Sequence, residues 1–386
     1  MSPMLTNLAR SFEPDSRNGK FPSLLAILVG CILLVAAYAL AQDKPLQTVE
    51  ETITAFAYAP DGRIAYSVRK LYSSHRIDYQ RDDIWVLGTD GKRKKIINGE
   101  RLVQGGGDVF SYAIQSMRWS PDSTRLTVEM LTSAMISARG ETQEGEATLM
   151  IDENGKEIKI IRGDSVIPDA YDATWLGDNA TVVYMREAVK PKLLFNIGQT
   201  RPAVGLGGVI FFGHTFSAVA WNAKQNTAVA IERNASLSGP PRLVSLDLAK
   251  ESIRELATLD GFAGGLVLSP SGARVAYYKD ADVLEIRELA HPEKFARMKV
   301  TYGILQWAAD EQRLLLKRGM EKKTADLVWV RVPQTINATA GGAIPEADVQ
   351  PALHGLTFRD FELSPDGRQL AVIEPGKRSL VIYPAQ

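Results

Sequence analysis

Short stretches in which apolar and polar residues alternate recur along the chain from residue 45 to its end. Alternation with a period of two places the apolar side chains on one face of a β-strand. In residues 361–373, FELSPDGRQLAVI, two such stretches flank the sequence SPDG. Pro365 presets the φ angle of the second turn position, and Gly367 suits the last one. The pattern predicts a β-hairpin with a tight turn.

Seven copies of this hairpin align on the residue just before the turn, which is Tyr58, Trp119, Trp175, Trp221, Leu268, Trp307 or Leu363. The two remaining tryptophans, Trp85 and Trp329, share a second position, in the strand that follows the longer loop of a unit. Most units continue with a second pair of strands, and successive units begin roughly 40 to 60 residues apart. Four antiparallel strands per unit are typical of a β-propeller blade. The sequence therefore predicts an all-β fold, a seven-bladed β-propeller of four-stranded antiparallel blades over residues 43–386.

The two ends of this region are predicted to meet. The last unit supplies three strands, at 358–363, 369–373 and 379–383, and lacks a fourth. Residues 45–52, PLQTVEET, precede the first unit and are not part of it. We expect them to form the outer strand of the last blade and so to close the ring. An α-solenoid is disfavoured because no unit sustains a period of 3.6 residues.

Residues 1–42 are a different kind of sequence, predicted to be a signal peptide or a membrane anchor. Basic residues precede an uncharged run over 21–42, which ends in the small-x-small triplet ALA at 39–41. Three interpretations stay open: a cleaved export signal, an uncut anchor of about 18 apolar residues, and a bacterial lipobox ending at Cys31. All three send residues 43–386 across the membrane. The predicted location is periplasmic or secreted, with or without anchoring in the inner membrane by residues 21–42.

The composition argues against a nucleic-acid partner and against catalysis. Forty-five lysines and arginines offset 45 aspartates and glutamates, so the chain lacks the net positive charge of a nucleic-acid binder. Cys31, the single cysteine, lies in the apolar run, so the exported part has neither a disulfide nor a thiolate metal site. The four histidines are far apart, and none belongs to an H-E-x-x-H motif. The sequence predicts no catalytic residue, no metal site and no cofactor.

The W-S-P-D-G/S turn and the R-Φ-x-Φ strand after it resemble the repeats of TolB-type propellers. They also resemble the propeller domains of the prolyl oligopeptidase and dipeptidyl peptidase families. The resemblance covers essentially all of residues 45–386 and implies the fold rather than a function, because the turn is structural. TolB-like proteins carry an α/β domain ahead of the propeller, where this chain has only residues 43–52. The peptidases carry a hydrolase domain with a G-x-S-x-G nucleophile motif, which this sequence lacks. WD-repeat propellers are less similar, since no Trp-Asp dipeptide closes a unit.

Propeller geometry assigns the loops of each blade to two faces. The turns within the first and last hairpins lie on one face, and the loops between the second and third strands and between blades lie on the other. We expect the long loops on that second, long-loop face, where binding residues belong; they are 69–83, 100–113, 131–147, 162–172, 203–215, 233–241 and 338–357.

The loop at 70–83, KLYSSHRIDYQRDD, combines aromatic, hydrogen-bonding and charged groups. Its candidate binding residues are Tyr72, His75, Arg76, Asp78, Tyr79 and Arg81. Three residues near other long loops, Tyr112, Tyr171 and His214, are placed to line the central funnel. Such a mixture suits recognition of a peptide or a glycan. The alternative is a solvated loop whose tyrosines pack on the neighbouring blade.

These patterns predict a non-catalytic, exported propeller that acts as a binding and scaffolding module. Its partner is expected to be a protein, a peptide or an envelope glycan, with membrane contact only through residues 21–42. The alternative is an enzyme, a lyase or hydrolase with its active site in the central funnel. That alternative requires His75, His214 and a carboxylate within about 3–4 Å of one another. A metal site would require His75, His214 and His354 to converge in the same way.

Overall fold

The computed structural model describes residues 44–74, 77–100, 109–135, 142–162, 171–175, 181–185, 215–222, 227–233, 239–247, 252–261, 263–318, 326–334, 336, 344–353, 360–374 and 376–385. The chain divides into residues 1–44 and a compact unit, Pro45–Gln386. The predicted signal or anchor segment, residues 1–42, lies outside the described residues. Among the residues that are described, no helix is long and apolar enough to cross a membrane.

Each named element of the described residues is a β-strand. The first eleven are β1 (Gln47–Val49), β2 (Ile53–Tyr58), β3 (Ile64–Val68), β4 (Leu71–Ser74), β5 (Ile77–Gln80), β6 (Asp83–Leu87), β7 (Arg93–Ile97), β8 (Val109–Trp119), β9 (Arg125–Met135), β10 (Thr142–Asp152) and β11 (Glu157–Arg162). The next six are β12 (Tyr171–Trp175), β13 (Thr181–Met185), β14 (Thr215–Asn222), β15 (Thr227–Arg233), β16 (Arg242–Asp247) and β17 (Ser252–Thr258). The remaining strands are β18 (Gly264–Leu268), β19 (Arg274–Asp280), β20 (Val283–Glu288), β21 (Phe295–Lys299), β22 (Ile304–Trp307), β23 (Arg313–Arg318), β24 (Asp326–Arg331), β25 (Val349–Leu353), β26 (Phe361–Leu363), β27 (Gln369–Ile373) and β28 (Leu380–Pro384).

Six four-stranded antiparallel sheets are seen in the described part of the chain, each built mainly from one stretch of sequence. We number the sheets along the chain. Sheet 1 is β2-β3-β6-β7, sheet 2 is β8-β9-β10-β11, sheet 4 is β14-β15-β16-β17, sheet 5 is β18-β19-β20-β21, sheet 6 is β22-β23-β24-β25 and sheet 7 is β26-β27-β28-β1. Sheet 3, in the third predicted unit, has two described strands, β12 and β13. The prediction of an all-β fold with four-stranded antiparallel sheets is confirmed for these six.

The turn of the repeated hairpin forms as its residues predict. In sheet 7 the Ser364 hydroxyl lies 2.6 Å from a carboxylate oxygen of Asp366 and accepts from the Gln369 N–H at 2.9 Å. Gly367 closes the turn with a φ of 71°, a left-handed conformation that glycine adopts without strain. In sheet 2 the same position is held by Ser123, with a φ of 61°. The turn is therefore specified by its serine and aspartate as well as by glycine.

The tryptophans before the turns bond neighbouring sheets together. The indole N–H of Trp119 in sheet 2 donates to the carbonyl oxygen of Ala57 in sheet 1, at 3.3 Å. Trp307 in sheet 6 donates in the same way to Val267 in sheet 5, also at 3.3 Å. Each acceptor precedes the aligned residue of its own hairpin. The repeated tryptophan thus has a polar function as well as an apolar one, because it satisfies a carbonyl at the seam between sheets.

Apolar cores lie between successive sheets. Buried side chains join sheet 1 to sheet 2, sheet 4 to sheet 5, sheet 5 to sheet 6 and sheet 6 to sheet 7. Another core joins the two ends of the region: Val49 and Ile53 pack with Ile373 and Leu380. Sheet 7 therefore packs against sheet 1 as well as against sheet 6.

The strand expected over 45–52 is present as the shorter β1. It pairs antiparallel with β28, with Gln47 opposite Ile382 and Val49 opposite Leu380. The Leu46 N–H extends the pairing through a bond to the Ile382 carbonyl at 2.7 Å. The N-terminal strand thus occupies an edge of sheet 7.

One predicted long loop lies elsewhere than expected. The segment 338–357 was assigned to the long-loop face, but Val349–Leu353 is β25, which pairs with β24. Residues 344–348, which precede β25, therefore belong to the connection between the third and fourth strands of sheet 6, on the side of the tight turns.

Candidate functional site

The predicted binding loop at 70–83 contains a β-hairpin of its own. Strands β4 and β5 pair with each other as a separate two-stranded sheet, inserted between the second and third strands of sheet 1. This insertion places the hairpin on the long-loop face. Tyr72 lies opposite Tyr79, and Ser73 lies opposite Asp78. We call residues 71–80 the tyrosine hairpin.

Stacked rings form the centre of the tyrosine hairpin. The rings of Tyr72 and Tyr79 are 5.5 Å apart between centroids and inclined by 13°. The guanidinium carbon of Arg81 lies 4.7 Å from the centroid of the Tyr79 ring. Stacked and cation–π pairs of this kind each stabilise by about 0.5–1.5 kcal/mol. Leu71 precedes Tyr72 in β4, so its side chain lies on the other face of the hairpin, and it is 69% exposed. The hairpin therefore has an ordered aromatic and cationic surface on one face and an exposed apolar side chain on the other.

Hydroxyl and carboxylate groups make the tyrosine hairpin polar as well as aromatic. The Ser73 hydroxyl donates to the Asp78 carboxylate across the hairpin. Burial, followed by the nearby carboxylates of Glu100 and Asp83, raises the pKa of the Tyr72 hydroxyl above its ordinary value. Tyr72 is therefore a neutral hydroxyl at physiological pH, able both to donate and to accept.

The base of the hairpin is bonded to sheet 2. The Gln80 N–H donates to the Ser111 hydroxyl at 2.9 Å, and that hydroxyl donates back to the Gln80 carbonyl at 3.0 Å. Arg81 and Tyr112 form a parallel β-bridge. The hairpin therefore rises from the seam between sheets 1 and 2 rather than from a free loop.

Beneath the hairpin, a buried carboxylate ties the same two sheets together. Asp82 is fully buried and accepts from the Thr54 hydroxyl at 3.2 Å and from the Ile114 N–H at 3.0 Å. The Gln80 amide donates to both of its carboxylate oxygens, at 2.8 and 2.9 Å. Burial raises the pKa of Asp82, and these hydrogen bonds oppose the rise. The network fixes the position from which the hairpin projects.

Sheet 2 extends beside the hairpin. Strands β8, β9 and β10 each have 11 residues, and the pairing of β9 with β10 runs without a break from Arg125 and Asp152 to Met135 and Thr142. Most of the predicted loop at 131–147 is therefore strand. The tyrosine hairpin packs along the first of these strands through Ser111.

The structure brings together four of the nine predicted site residues, and of the other five it describes the side chain of Tyr112. Tyr72, Asp78 and Tyr79 lie in the tyrosine hairpin, and Arg81 directly follows it and lies over the Tyr79 ring. His75, Arg76 and His214 lie outside the described residues; Tyr171 begins β12, but its side chain is not among those described. Tyr112 is 2% exposed, and its hydroxyl donates to the Asp82 carbonyl at 2.8 Å. Tyr112 thus supports the hairpin from the core and does not line the funnel, because its position in β8 faces sheet 1.

The sequence did not predict a second feature, a cavity of about 580 Å³ among the inner strands of sheets 1, 2, 6 and 7. It is lined by apolar and polar side chains, among them Phe56, Met117, Arg118, Gln306, Phe361 and Glu362. These residues come from four distant segments of the chain. No local motif unites them, so only the arrangement of the sheets reveals the site.

Two of the cavity residues bond the backbone of the next sheet. Glu362 accepts from the Tyr58 N–H at 3.1 Å through Oε2, and Gln306 accepts from the Leu363 N–H at 3.1 Å through Oε1. Burial raises the pKa of Glu362 to about 7, although the Tyr58 N–H and the Arg118 charge oppose the rise. The cavity thus contains a carboxyl group that titrates near neutral pH.

The histidine sites considered from the sequence involve His75, His214 and His354, which all lie outside the described residues. Within the described ranges, no group of three or more His, Cys, Asp or Glu side chains is arranged to hold a metal ion.

Comparison with known proteins identifies the fold. No protein-family model and no curated protein sequence matches the chain. Among solved structures, a chain of the crystal structure of the mitotic checkpoint complex has a TM-score of 0.57 and 11% identity, and the match covers 89% of this chain and 95% of that one. The Cps50 (Swd1) β-propeller domain of Myceliophteria thermophila has a TM-score of 0.56 and 12% identity, covering 89% and 100%. At such identities the likeness shows the fold alone, which is a β-propeller.

Proposed function

We propose that the chain is an exported, TolB-like, seven-bladed β-propeller that acts as a non-catalytic scaffold and binds a protein partner through its long-loop face. The tyrosine hairpin is the principal contact. The observation that carries the proposal is the stack of Tyr72, Tyr79 and Arg81, presented on the long-loop face and fixed at its base.

The chemistry of the hairpin supports a protein partner. Tyrosine and arginine are enriched in protein interfaces and dominate their binding energy, since they combine a large contact area with hydrogen bonding. The stack and the bonds of Gln80 and Asp82 hold the hairpin in one arrangement, so binding costs little conformational entropy. A solved chain with a similar fold comes from the mitotic checkpoint complex, a protein assembly. A glycan partner is the alternative that the experiment below distinguishes.

Two features support seven blades in a closed ring. Among the strands that the structure describes, six sheets have four strands each, and β12 and β13 form a hairpin in the third unit, between sheets 2 and 4. The edge position of β1 in sheet 7, together with the packing of Val49 and Ile53 against Ile373 and Leu380, supports closure by the N-terminal strand. The TolB-like assignment is supported by the SPD turns of sheets 2 and 7, in which the serine hydroxyl bonds to the aspartate carboxylate.

Photo-crosslinking of the full chain in its host tests the partner surface. A photo-reactive p-benzoylphenylalanine at position 71 is expected to crosslink a protein, because Leu71 directly precedes Tyr72 in the tyrosine hairpin and is largely exposed. The same residue at position 92 is the control, since Lys92 lies in the turn of the opposite face with a side chain that is 88% exposed. Tyr79→Ala should reduce the position-71 crosslink at least fivefold, whereas Tyr79→Phe should keep it.

Equal crosslinks from positions 71 and 92 would remove the hairpin from the proposal. A crosslink to a glycan at position 71 would keep the face and overturn the choice of a protein partner. Circular dichroism of both Tyr79 variants shows whether the fold is retained.

Export is tested by fusing alkaline phosphatase after Gln386. The enzyme needs disulfides that form outside the cytoplasm, so we expect an active fusion. A matched fusion that lacks residues 1–42 is expected to be inactive, because the basic and apolar segment is the proposed export signal. Equal activity of the two fusions, or a fluorescent green-fluorescent-protein fusion in place of an active phosphatase, would contradict export.

A further inference from the structure

We propose that the central cavity is a binding site for a cationic group on a short apolar stem, that is, an alkylammonium or alkylguanidinium group. The site is distinct from the tyrosine hairpin, and the proposal does not rest on the function assigned to that hairpin.

The cavity opens toward the long-loop face, between one apolar residue and one acidic residue. Ile304 is the first residue of β22 and Asp360 directly precedes β26, so both lie where these inner strands begin, at the long-loop face. Ile304 is 59% exposed. Gln306 and Glu362 follow two residues further along their strands and line the same cavity. A ligand that enters from the long-loop face would pass Ile304 and Asp360 before it meets Glu362.

Glu362 is the group best placed to hold a cation. Its Oε2 accepts one hydrogen bond, from the Tyr58 N–H. Its other carboxyl oxygen, Oε1, has no hydrogen-bond partner among the described residues. A carboxylate in a cavity is costly when only one donor serves it, and burial accordingly raises the pKa of Glu362. A cation placed against Oε1 would supply both the missing donor and the opposite charge.

The walls suit a short apolar stem. Phe56, Met117, Leu305 and Phe361 line the cavity together with the carboxyl groups. Burying methylene groups against them is favourable by about 25 cal/mol per Å², and aromatic rings also attract cations. A volume of about 580 Å³ is within the range of small-molecule sites and has room for a butyl stem with its charged end.

The charges in the cavity favour a cation over an anion. Two carboxyl groups, Asp360 and Glu362, line it against one guanidinium, that of Arg118. Arg118 already has interactions of its own. Its charge lowers the pKa of Glu362, so it competes with a bound cation for the same carboxylate. Neutralising Arg118 should therefore strengthen the binding of a cation and weaken the binding of an anion.

Calorimetric titration of the purified full chain tests the proposal. The probes are n-butylammonium, its neutral analogue n-butanol, and the capped peptide acetyl-Gly-Lys-Gly-amide. We expect n-butylammonium or the peptide to bind at least tenfold more tightly than n-butanol. Binding of the ammonium ion assigns the site to a free amine, and binding of the peptide alone assigns it to a lysine side chain. Either result supports the site, whereas binding of neither cationic probe more tightly than n-butanol overturns it.

Matched variants assign the binding to Glu362. Glu362→Gln keeps the acceptor for the Tyr58 N–H and should weaken cation binding at least tenfold. Glu346→Gln, at a residue whose side chain is 79% exposed in the connection on the turn face, should leave it unchanged. Arg118→Gln should tighten it several-fold. Unchanged affinity in Glu362→Gln, or weaker cation binding in Arg118→Gln, would overturn the proposal; thermal melting confirms that each variant is folded.

The pH dependence gives a second readout. The ligand needs the ionised carboxylate, so affinity for n-butylammonium should rise from pH 5 to pH 8 as Glu362 loses its proton near pH 7. The amine itself stays charged over this range. The other titratable or charged groups that face Glu362 are Tyr58, Arg118 and Asp360. Glu362→Gln should flatten the profile, and a profile of equal slope in that variant would contradict the assignment.

Discussion

Tryptophan at the aligned position is explained by a single hydrogen bond. Trp119 and Trp307 each donate their indole N–H to a carbonyl of the preceding sheet, while their rings are buried in the seam. The second pair of tryptophans differs: the indole nitrogens of Trp85 and Trp329 have no hydrogen-bond partner within the described part of the chain, and arginine or lysine groups lie over their rings. The sequence predicts both columns from their spacing. It does not predict this difference, because the acceptors lie in another repeat.

Two glycines at equivalent turn positions have similar backbone conformations, but only one of them contacts the neighbouring sheet. Gly91 and Gly155 occupy the same position in the last hairpins of sheets 1 and 2, with φ angles of 78° and 85°. A Cβ atom added to Gly91 would meet no atom within 4 Å. A Cβ added to Gly155 would overlap the Ile96 carbonyl oxygen in the edge strand of sheet 1. The same turn is therefore free in one repeat and pressed against the neighbouring sheet in the next.

We expect Gly91→Ala to lower the free energy of unfolding by about 1 kcal/mol, the cost of a left-handed conformation in a residue with a Cβ atom. Gly155→Ala should cost at least about 2 kcal/mol more, because a backbone carbonyl cannot move aside as a side chain can. Denaturant unfolding of the two variants measures the difference. Equal losses would show that the turn of sheet 2 does not depend on its contact with sheet 1.

At the scale of elements, the tight hairpins were predictable and the long connections were not. Turn residues such as Ser364 and Asp366 bond locally, so the sequence alone specifies them. Strands β4 and β5 were predicted as loop because four residues each are too few to show a period. Their pairing relies on the Tyr72–Tyr79 stack and on Ser111, which belongs to the next repeat. The sequence therefore predicts which residues make up the candidate site, but it does not predict that they form a β-hairpin.

Two other elements show the same limit. Strands β9 and β10 continue past their predicted ends because each extension pairs with the other, which neither segment reveals alone. Strand β25 contains Pro351, which cannot donate a backbone hydrogen bond and argues against a strand. It is tolerated because β25 is the edge strand of sheet 6. Whether a strand lies at the edge of a sheet depends on the topology, so β25 could not be predicted from its own residues.

At the scale of the whole molecule, the packing between sheets 7 and 1 is expected to contribute to the free energy of unfolding. Val49 in β1 is 2% exposed and packs with residues of both sheets, whereas Leu46, three residues earlier, is 58% exposed. We expect Val49→Ser to lower the free energy of unfolding by about 2 kcal/mol, since it removes a buried apolar side chain from the seam.

Leu46→Ser is the matched control and should change the free energy of unfolding by less than about 0.5 kcal/mol, because its side chain is already in water. The denaturant midpoints of the Val49→Ser and Leu46→Ser variants measure the difference in stability. Similar midpoints would mean that β1 contributes little to the stability of the propeller.

The pairing of β1 with β28 also sets an order of events while the chain is being synthesised. β1 leaves the ribosome before every other described strand, yet its partner, β28, follows all the other described strands in the chain. Until Leu380 and its neighbours arrive, Val49 lacks its apolar contacts with sheet 7, and β1 has no partner strand and is open to pairing with other chains. Contacts between residues so far apart in sequence also form slowly. A chain whose translation stops early can therefore complete several sheets but not this one, and it remains recognisable to proteases and chaperones as unfinished.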